Sequence, residues 1–237
     1  MISCIETLNV SKNYDDTPVL LAVNVRASSQ RITSIVGVNG AGKTTLLKII
    51  AGLDAPSDGK ILVDTKEANP EELRAHCTMV FQRSVMLGGT VYDNVTYGLR
   101  VNRTPRQEIR DKVRSVLAIV NLDGFENRKA RKLSSGEQQR VAIARALALE
   151  RDVLLIDEPT ANLDPANAMI VEQGIKEAAR SRIVLLSTHN LSQARRLSQR
   201  AIHLYRGRIV EERETSDFFA NPQDERTKLF ISGELQY

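Results

Sequence analysis

Gly37-Val38-Asn39-Gly40-Ala41-Gly42-Lys43-Thr44 matches the spacing G-x-x-x-x-G-K-[ST] in full, a pattern whose chemistry is the holding of phosphate groups. Its glycines let the backbone turn so that N–H groups and the start of the following helix face an anion. Lys43 supplies positive charge for the β and γ phosphates of a nucleotide, and Thr44 a hydroxyl for Mg²⁺. A second set of polar residues, Asp157-Glu158, closes the apolar run Val153-Leu154-Leu155-Ile156. Adjacent acids at the end of a buried strand are costly unless they have a cation or a proton to handle. Beside a phosphate loop both tasks exist: Asp157 suits Mg²⁺, and Glu158 suits a base that polarises the water attacking the γ phosphate. A third motif, Leu133-Ser134-Ser135-Gly136-Glu137-Gln138-Gln139-Arg140, stands directly before a helical run. Ser134 can cap that helix, and the helix start also offers a positive dipole end to an anion. Taken alone, this motif reads as a simple helix cap.

Positioning these groups requires strands that feed loops and helices. Runs at 5–10, 19–27 and 31–36 read as strands, and the run from Gly42 through Lys-Thr-Thr-Leu-Leu-Lys-Ile-Ile reads as a helix, an α/β signature. Asp58-Gly59 reads as a hairpin turn before a strand at 60–63, and 77–81 as a short buried strand. Between about 90 and 149 the character is helical, with Ile109, Val113, Val116, Leu117 and Val120 spaced by three and four. A helical subdomain inserted at 88–134 is therefore expected within an α/β core of 1–87 and 135–214. Strand-like runs at 153–156, 183–187 and 201–205 alternate with helical runs at 165–179 and 191–198, which predicts a mostly parallel sheet with crossover helices. Residues 215–237 read as a short helical tail, too small for a further domain.

The 237-residue chain, 42% hydrophobic and 26% charged, has ordinary globular composition and room for one large domain or two small ones. Charged residues interrupt every apolar run before the ~18 residues a membrane span needs. The start, with Glu6 and no basic segment before an apolar one, does not read as a secretory signal, so a cytoplasmic protein is expected. Cys4 and Cys77 lack CxxC spacing and are expected to be reduced packing residues. A net charge of +4 is only mildly basic. Its clusters, 100–114 and 128–132, lack the interleaved aromatics of a single-strand nucleic-acid platform and read as solvated helix face.

These motifs, in this order and at these separations, resemble the nucleotide-binding subunits of ABC transporters over essentially the whole chain. Gly37 to Thr44 resembles the Walker A loop, Val153 to Glu158 the Walker B strand, and Leu133 to Glu137 the LSGGQ signature. Ser135 stands where Gly is usual and Glu137 where Gln is usual. Gln82 in Val80-Phe81-Gln82 is similar to the Q-loop glutamine, Ala161-Asn162-Leu163-Asp164 to the D-loop, His189 in Ser187-Thr188-His189 to the switch histidine, and Tyr14 to the aromatic that stacks on adenine. The fold so implied is a P-loop NTPase core, with an N-terminal antiparallel β region beside the mostly parallel sheet, plus the inserted helical ABC subdomain. For the site, the resemblance implies nucleotide contacts at Tyr14, Gly37, Asn39, Gly40, Ala41, Gly42, Lys43, Thr44 and Thr45. It also implies Mg²⁺ at Thr44, Gln82 and Asp157, catalysis by Glu158, His189 and Gln82, and a contact of Ser134, Gly136 and Glu137 with nucleotide on a second copy.

The implied partners are ATP, that second copy in a head-to-tail dimer, membrane permease subunits at the cytoplasmic face of the cell membrane and, indirectly, an extracytoplasmic solute-binding protein, with no nucleic acid. The permease's coupling helix would meet Gln82 to Gly98, with Tyr92, Val95 and Tyr97 as apolar anchors. Asn190, the run Leu191 to Leu197 and the tail from Phe218 to Leu235 resemble importers of oxyanions, tungstate before phosphate or molybdate. A separately encoded exporter ATPase is the nearer alternative, and a soluble ABC ATPase acting on nucleic acid or the ribosome the more distant one.

Overall fold

The computed structural model describes residues 2–161 and 163–234. Asn162 and Leu235, both in segments with family likeness, lie outside the described residues. The strands are β1 (Cys4–Tyr14), β2 (Thr17–Ser28), β3 (Ile32–Val36), β4 (Asp58–Val63), β5 (Lys66–Glu67), β6 (Cys77–Val80), β7 (Val153–Asp157), β8 (Ile183–Thr188), β9 (Arg200–Tyr205) and β10 (Arg208–Glu214). The helices are α1 (Lys43–Ile50), α2 (Pro70–His76), α3 (Val91–Val101), α4 (Arg106–Ile119), α5 (Ser135–Ala148), α6 (Pro165–Ala179), α7 (Leu191–Leu197), α8 (Thr215–Ala220) and α9 (Glu225–Ser232). Two compact units result: Met1–Met79 with Asp152–Glu158 and Ala179–Tyr237, and Val80–Arg151 with Pro159–Ala178. Helix α5, within the segment 135–214 that the sequence assigns to the core, packs on α3 and α4 in the second unit.

In the first unit an antiparallel sheet, β2-β1-β4-β5, accompanies a larger sheet ordered β10-β9-β3-β8-β7-β6. Strands β9, β3, β8 and β7 run parallel, and β10 returns antiparallel at the edge. Every residue of β3, β7 and β8 is buried, as continuous apolar strands of a parallel sheet should be. Helix α1 buries Leu46, Leu47, Ile49 and Ile50 in the same core as Ile35, Leu155 and Leu185. The mostly parallel α/β core with its N-terminal antiparallel region is therefore as the sequence predicts.

Asp58-Gly59 is not a hairpin turn. Both residues belong to β4, with Asp58 opposite Ser11, and a Cβ on Gly59 would lie 2.4 Å from the Asn9 carbonyl oxygen. Glycine serves there to let two strands approach at a bulge. The turn lies at Asp64-Thr65, both with positive φ, between the paired Val63 and Lys66.

In the second unit α3 buries Val91, Val95 and Leu99, and α4 buries Ile109, Val113, Val116 and Leu117. Arg106, Arg110 and Arg114 of α4 are exposed, so this basic cluster is a solvated helix face. Val95, expected as an anchor for a partner, is 1% exposed and belongs to the core, whereas Tyr97 on the same helix is 56% exposed. Residues four apart share a helix face and residues two apart do not.

The tail docks on the first unit: Phe218 of α8 is fully buried with Val36, Ala194 and Ala201. His203 of β9 stacks on Phe230 of α9 at 4.6 Å, and its Nδ1 lies 3.0 Å from the Thr227 hydroxyl. Burial pushes the His203 pKa down to about 4, with Asp224 and Glu211 opposing and Arg226 reinforcing the shift. An unfolded chain protonates this histidine near pH 6.5, the native one only near 4, so its contribution is full above about 6.5 and is lost as pH falls towards 4. The loss should be about 3 kcal/mol over that interval. Urea unfolding at pH 7 and pH 4 checks this: His203→Phe should show that much less pH dependence than the wild type.

Candidate active site

The phosphate loop leaves β3 and enters α1. A Cβ on Gly37 would lie 2.2 Å from the Leu204 carbonyl oxygen, and Gly42 starts the helix at φ 106°, where a Cβ would meet Leu20 at 2.7 Å. Neither position admits a larger residue without moving the backbone. Lys43 is 6% exposed, and its Nζ donates to the carbonyls of Gly37 at 2.7 Å and Val38 at 3.1 Å. Burial pushes its ammonium pKa down, while Glu158 and Asp157 push it back up.

Parallel pairing of β7 with β8 sets Asp157 opposite Ser187. The Asp157 carboxylate accepts from the Ser187 hydroxyl and, at 2.7 Å, from the Thr44 hydroxyl. Glu158 follows with φ 47°, a left-handed conformation that costs a non-glycine residue about 1 kcal/mol. Its N–H donates to the Ser187 carbonyl at 3.0 Å. The turn brings the Glu158 side chain, 8% exposed, to Lys43 at 3.6 Å through Oε1 and to His189 Nδ1 at 2.9 Å through Oε2. Glu158 Oε1 is buried and accepts no hydrogen bond among the described residues. His189 is half exposed at its side chain. A cation, a hydroxyl, two carboxylates and an imidazole thus converge at the ends of β3, β7 and β8.

Asn39 and Gly40 are exposed at the loop tip, Ala41 is buried, and Thr45 is half-buried one residue into α1 from Thr44. Tyr14, at the end of β1, is 44% exposed. Its phenol donates to the Asp54 carboxylate at 2.5 Å, an acceptor that raises the phenol pKa. From the sequence neither Ser187 nor Asp54 receives a role. A polar Ser187-Thr188 pair ending an apolar strand was the available signal for the first; a lone acid after α1 gave none for the second.

Gln82, Ser134, Gly136 and Glu137 belong to the second unit. Gln82 is exposed just past β6. Ser134 caps α5 through a reciprocal pair: its hydroxyl accepts from the Glu137 N–H at 3.3 Å, and the Glu137 carboxylate accepts from the Ser134 N–H at 2.8 Å. That second bond holds the Glu137 pKa below the usual carboxylate range. Gly136 is buried, and a Cβ there would come within 3.0 Å of Asn167 of α6.

A profile of the ABC transporter family matches residues 20–161. The chain belongs to the ABC transporter family. It is 40% identical to a phosphate import ATP-binding protein of Natronomonas pharaonis, over 96% of this chain and 86% of that protein. With the ATP-binding protein of a tungstate uptake system from Peptoclostridium acidaminophilum the identity is 39%, over 86% and 95% of the two chains. Among solved structures, cbiO1 of the cbiONQ ABC transporter complex from Clostridium perfringens superposes with a TM-score of 0.84 at 27% identity, covering 97% of this chain and 95% of that one. The fold is that of an ABC ATPase: the P-loop core and the helical unit are both accounted for.

Proposed function

We propose that this chain is the ATP-hydrolysing subunit of an ABC importer for a tetrahedral oxyanion. The observation that carries the ATPase reading is the convergence of Lys43, Thr44, Asp157, Glu158 and His189 at one end of the sheet. Lys43 is placed to neutralise the outer phosphates. Glu158, with one oxygen engaged by His189 and the other facing Lys43 and accepting no hydrogen bond among the described residues, takes the proton of the attacking water as the new oxygen–phosphorus bond forms and the bond to the β phosphate breaks. His189 steadies that carboxylate and is placed to reach the γ phosphate. Thr44 and Asp157 offer hard oxygen donors that suit Mg²⁺, which when bound neutralises phosphate charge. Among the described residues no cluster of three or more His, Cys, Asp or Glu could cage a metal; Thr44 and Asp157 are the residues that would hold the cation.

No helix of the described residues is long and apolar enough to cross a membrane. In this reading the work of hydrolysis passes to permease subunits at the cytoplasmic face of the membrane, which the relatives' names as ATP-binding proteins of import and uptake systems support. Phe81, Val85 and Tyr97, exposed by 44%, 71% and 56%, supply the apolar contacts on either side of Gln82 for a permease helix. Import rather than export is supported by the relatives, whose names specify uptake of phosphate and of tungstate. For the substrate, the run from Asn190 to Leu197 favours tungstate and the tail fits tungstate and phosphate alike; the 40% identity to a phosphate import protein favours phosphate as the second reading.

The test is ATPase rate in proteoliposomes containing this subunit, its permease and the solute-binding protein. Stimulation requires the loaded binding protein to favour the closed state of the paired subunits, so only an anion held in the productive conformation shifts that equilibrium. Tungstate should stimulate and phosphate should do much less, with molybdate tolerated for its similar size. Stimulation by phosphate with tungstate inert assigns the second reading, and stimulation by neither overturns the oxyanion reading.

A further inference from the structure

An aromatic platform adds affinity for a nucleotide base only to the extent that its ring is fixed before the base arrives. Tyr14 sits at a hairpin tip, paired with Thr17 across a turn in which Asp15 has φ 51°. A half-exposed side chain there has rotamers to lose, and ordering one on binding costs about two- to tenfold in affinity. The structure holds this ring at several points. The phenol donates to Asp54 Oδ2. The other Asp54 oxygen takes Lys12 Nζ at 2.6 Å, which also donates to the Ala55 carbonyl at 2.7 Å and lies 4.9 Å from the centre of the Tyr14 ring. Lys12 and Asp54 are only 12% and 21% exposed at their side chains, so this ion pair is better sheltered than most surface pairs.

The anchor of the phenol is pinned to α1: the Asp54 N–H donates to the carbonyl of Lys48 at 3.3 Å, in the helix that starts with Lys43 and Thr44. The helix that carries the phosphate grip therefore also sets the position of the ring. We infer that Asp54, held by Lys12, is the positioning residue that fixes Tyr14 as the base platform at a set distance from the phosphate loop, an inference that rests on reading Tyr14 as the adenine contact. Lys12 has a second effect: it neutralises a carboxylate that would otherwise face a polyanionic ligand.

The experiment compares affinities of the full chain for a non-hydrolysable ATP analogue and for inorganic tripolyphosphate, which has no base to stack. Tyr14→Ala should weaken the analogue by roughly tenfold or more. Tyr14→Phe, which keeps the ring but loses its tether, and Asp54→Ala should each weaken it roughly fivefold. Because they break one interaction, the double variant should be little weaker than either alone. Asp54→Asn, whose amide oxygen still accepts the phenol, should recover most of the loss. Tripolyphosphate should bind all variants equally. If Tyr14→Ala weakens the analogue while Tyr14→Phe and Asp54→Ala do not, the positioning role is wrong and the platform stands. If Tyr14→Ala binds the analogue as the wild type does, the platform reading itself fails. Equal loss of tripolyphosphate in Asp54→Ala would show that Asp54 acts on the phosphate loop instead, which also overturns the inference. Should Asp54→Ala fail to fold, Tyr14→Phe, lacking a single oxygen, decides the matter.

Discussion

Glu158→Gln should retain ATP binding and slow hydrolysis by roughly 10² to 10⁴, the range for losing a general base. Glutamine suits this test because it keeps the size of the side chain and pays the same backbone cost at φ 47°, so the fold around Ser187 and His189 stays as it is. What changes is the oxygen that accepts no hydrogen bond among the described residues: an amide cannot take the proton of the attacking water. Removing the negative charge beside Lys43, 3.6 Å away, also lessens repulsion of the triphosphate, so affinity should hold or rise. With ATP bound and not consumed, two copies should stay paired. Gel filtration with MgATP reads this directly: a dimer in the variant, absent without nucleotide. A variant that binds ATP and remains monomeric would overturn nucleotide-driven pairing, and one that hydrolyses ATP at the wild-type rate would remove Glu158 from the role of base.

Glu158 and its neighbours were legible in the sequence because each sits at a punctuation point. Strands β7 and β8 carry apolar runs buried on both faces, so Asp157 at the end of the one and His189 just past the other stand out. The Gly-rich loop announces itself by spacing, and helix α4 by period. What spacing does not encode is register. Ser187 meets Asp157 only because β7 and β8 pair in parallel with those two residues opposite, and Asp54 meets Tyr14 only because β1 passes the end of α1. Strand β10, Arg208-Ile209-Val210-Glu211-Glu212-Arg213-Glu214, went unread because an edge strand carries charge and shows little alternation. Asp58-Gly59 misled for a related reason: a glycine that a hairpin turn would favour was needed instead for close approach between strands. In α3 a list of apolar residues did not distinguish Val95, on the inner face with Val91 and Leu99, from Tyr97 on the outer one.

The signature segment leads to the second large effect. Ser134 has one task on view, the cap of α5, and Ser134→Ala should cost about 1 kcal/mol of stability on that account alone. If it also serves nucleotide bound by a second copy, the two tasks separate in a mixing experiment. Lys43→Ala spoils the phosphate grip and leaves the signature whole; Ser134→Arg fills the signature and leaves the grip whole. Each variant alone should form no ATP-dependent dimer, since every site in a two-fold pair combines one grip with the partner's signature. Mixed in equal amounts, they generate one site with both halves intact and one with both spoiled. ATP should then retain a differently tagged Lys43→Ala chain on immobilised Ser134→Arg chain, and should do so only when both are present. The effect is close to all or none, which makes it robust to the modest loss of the cap. No retention above that of each variant with itself would leave Ser134 as a helix cap and nothing more, and would remove Gly136 and Glu137 from the nucleotide site with it.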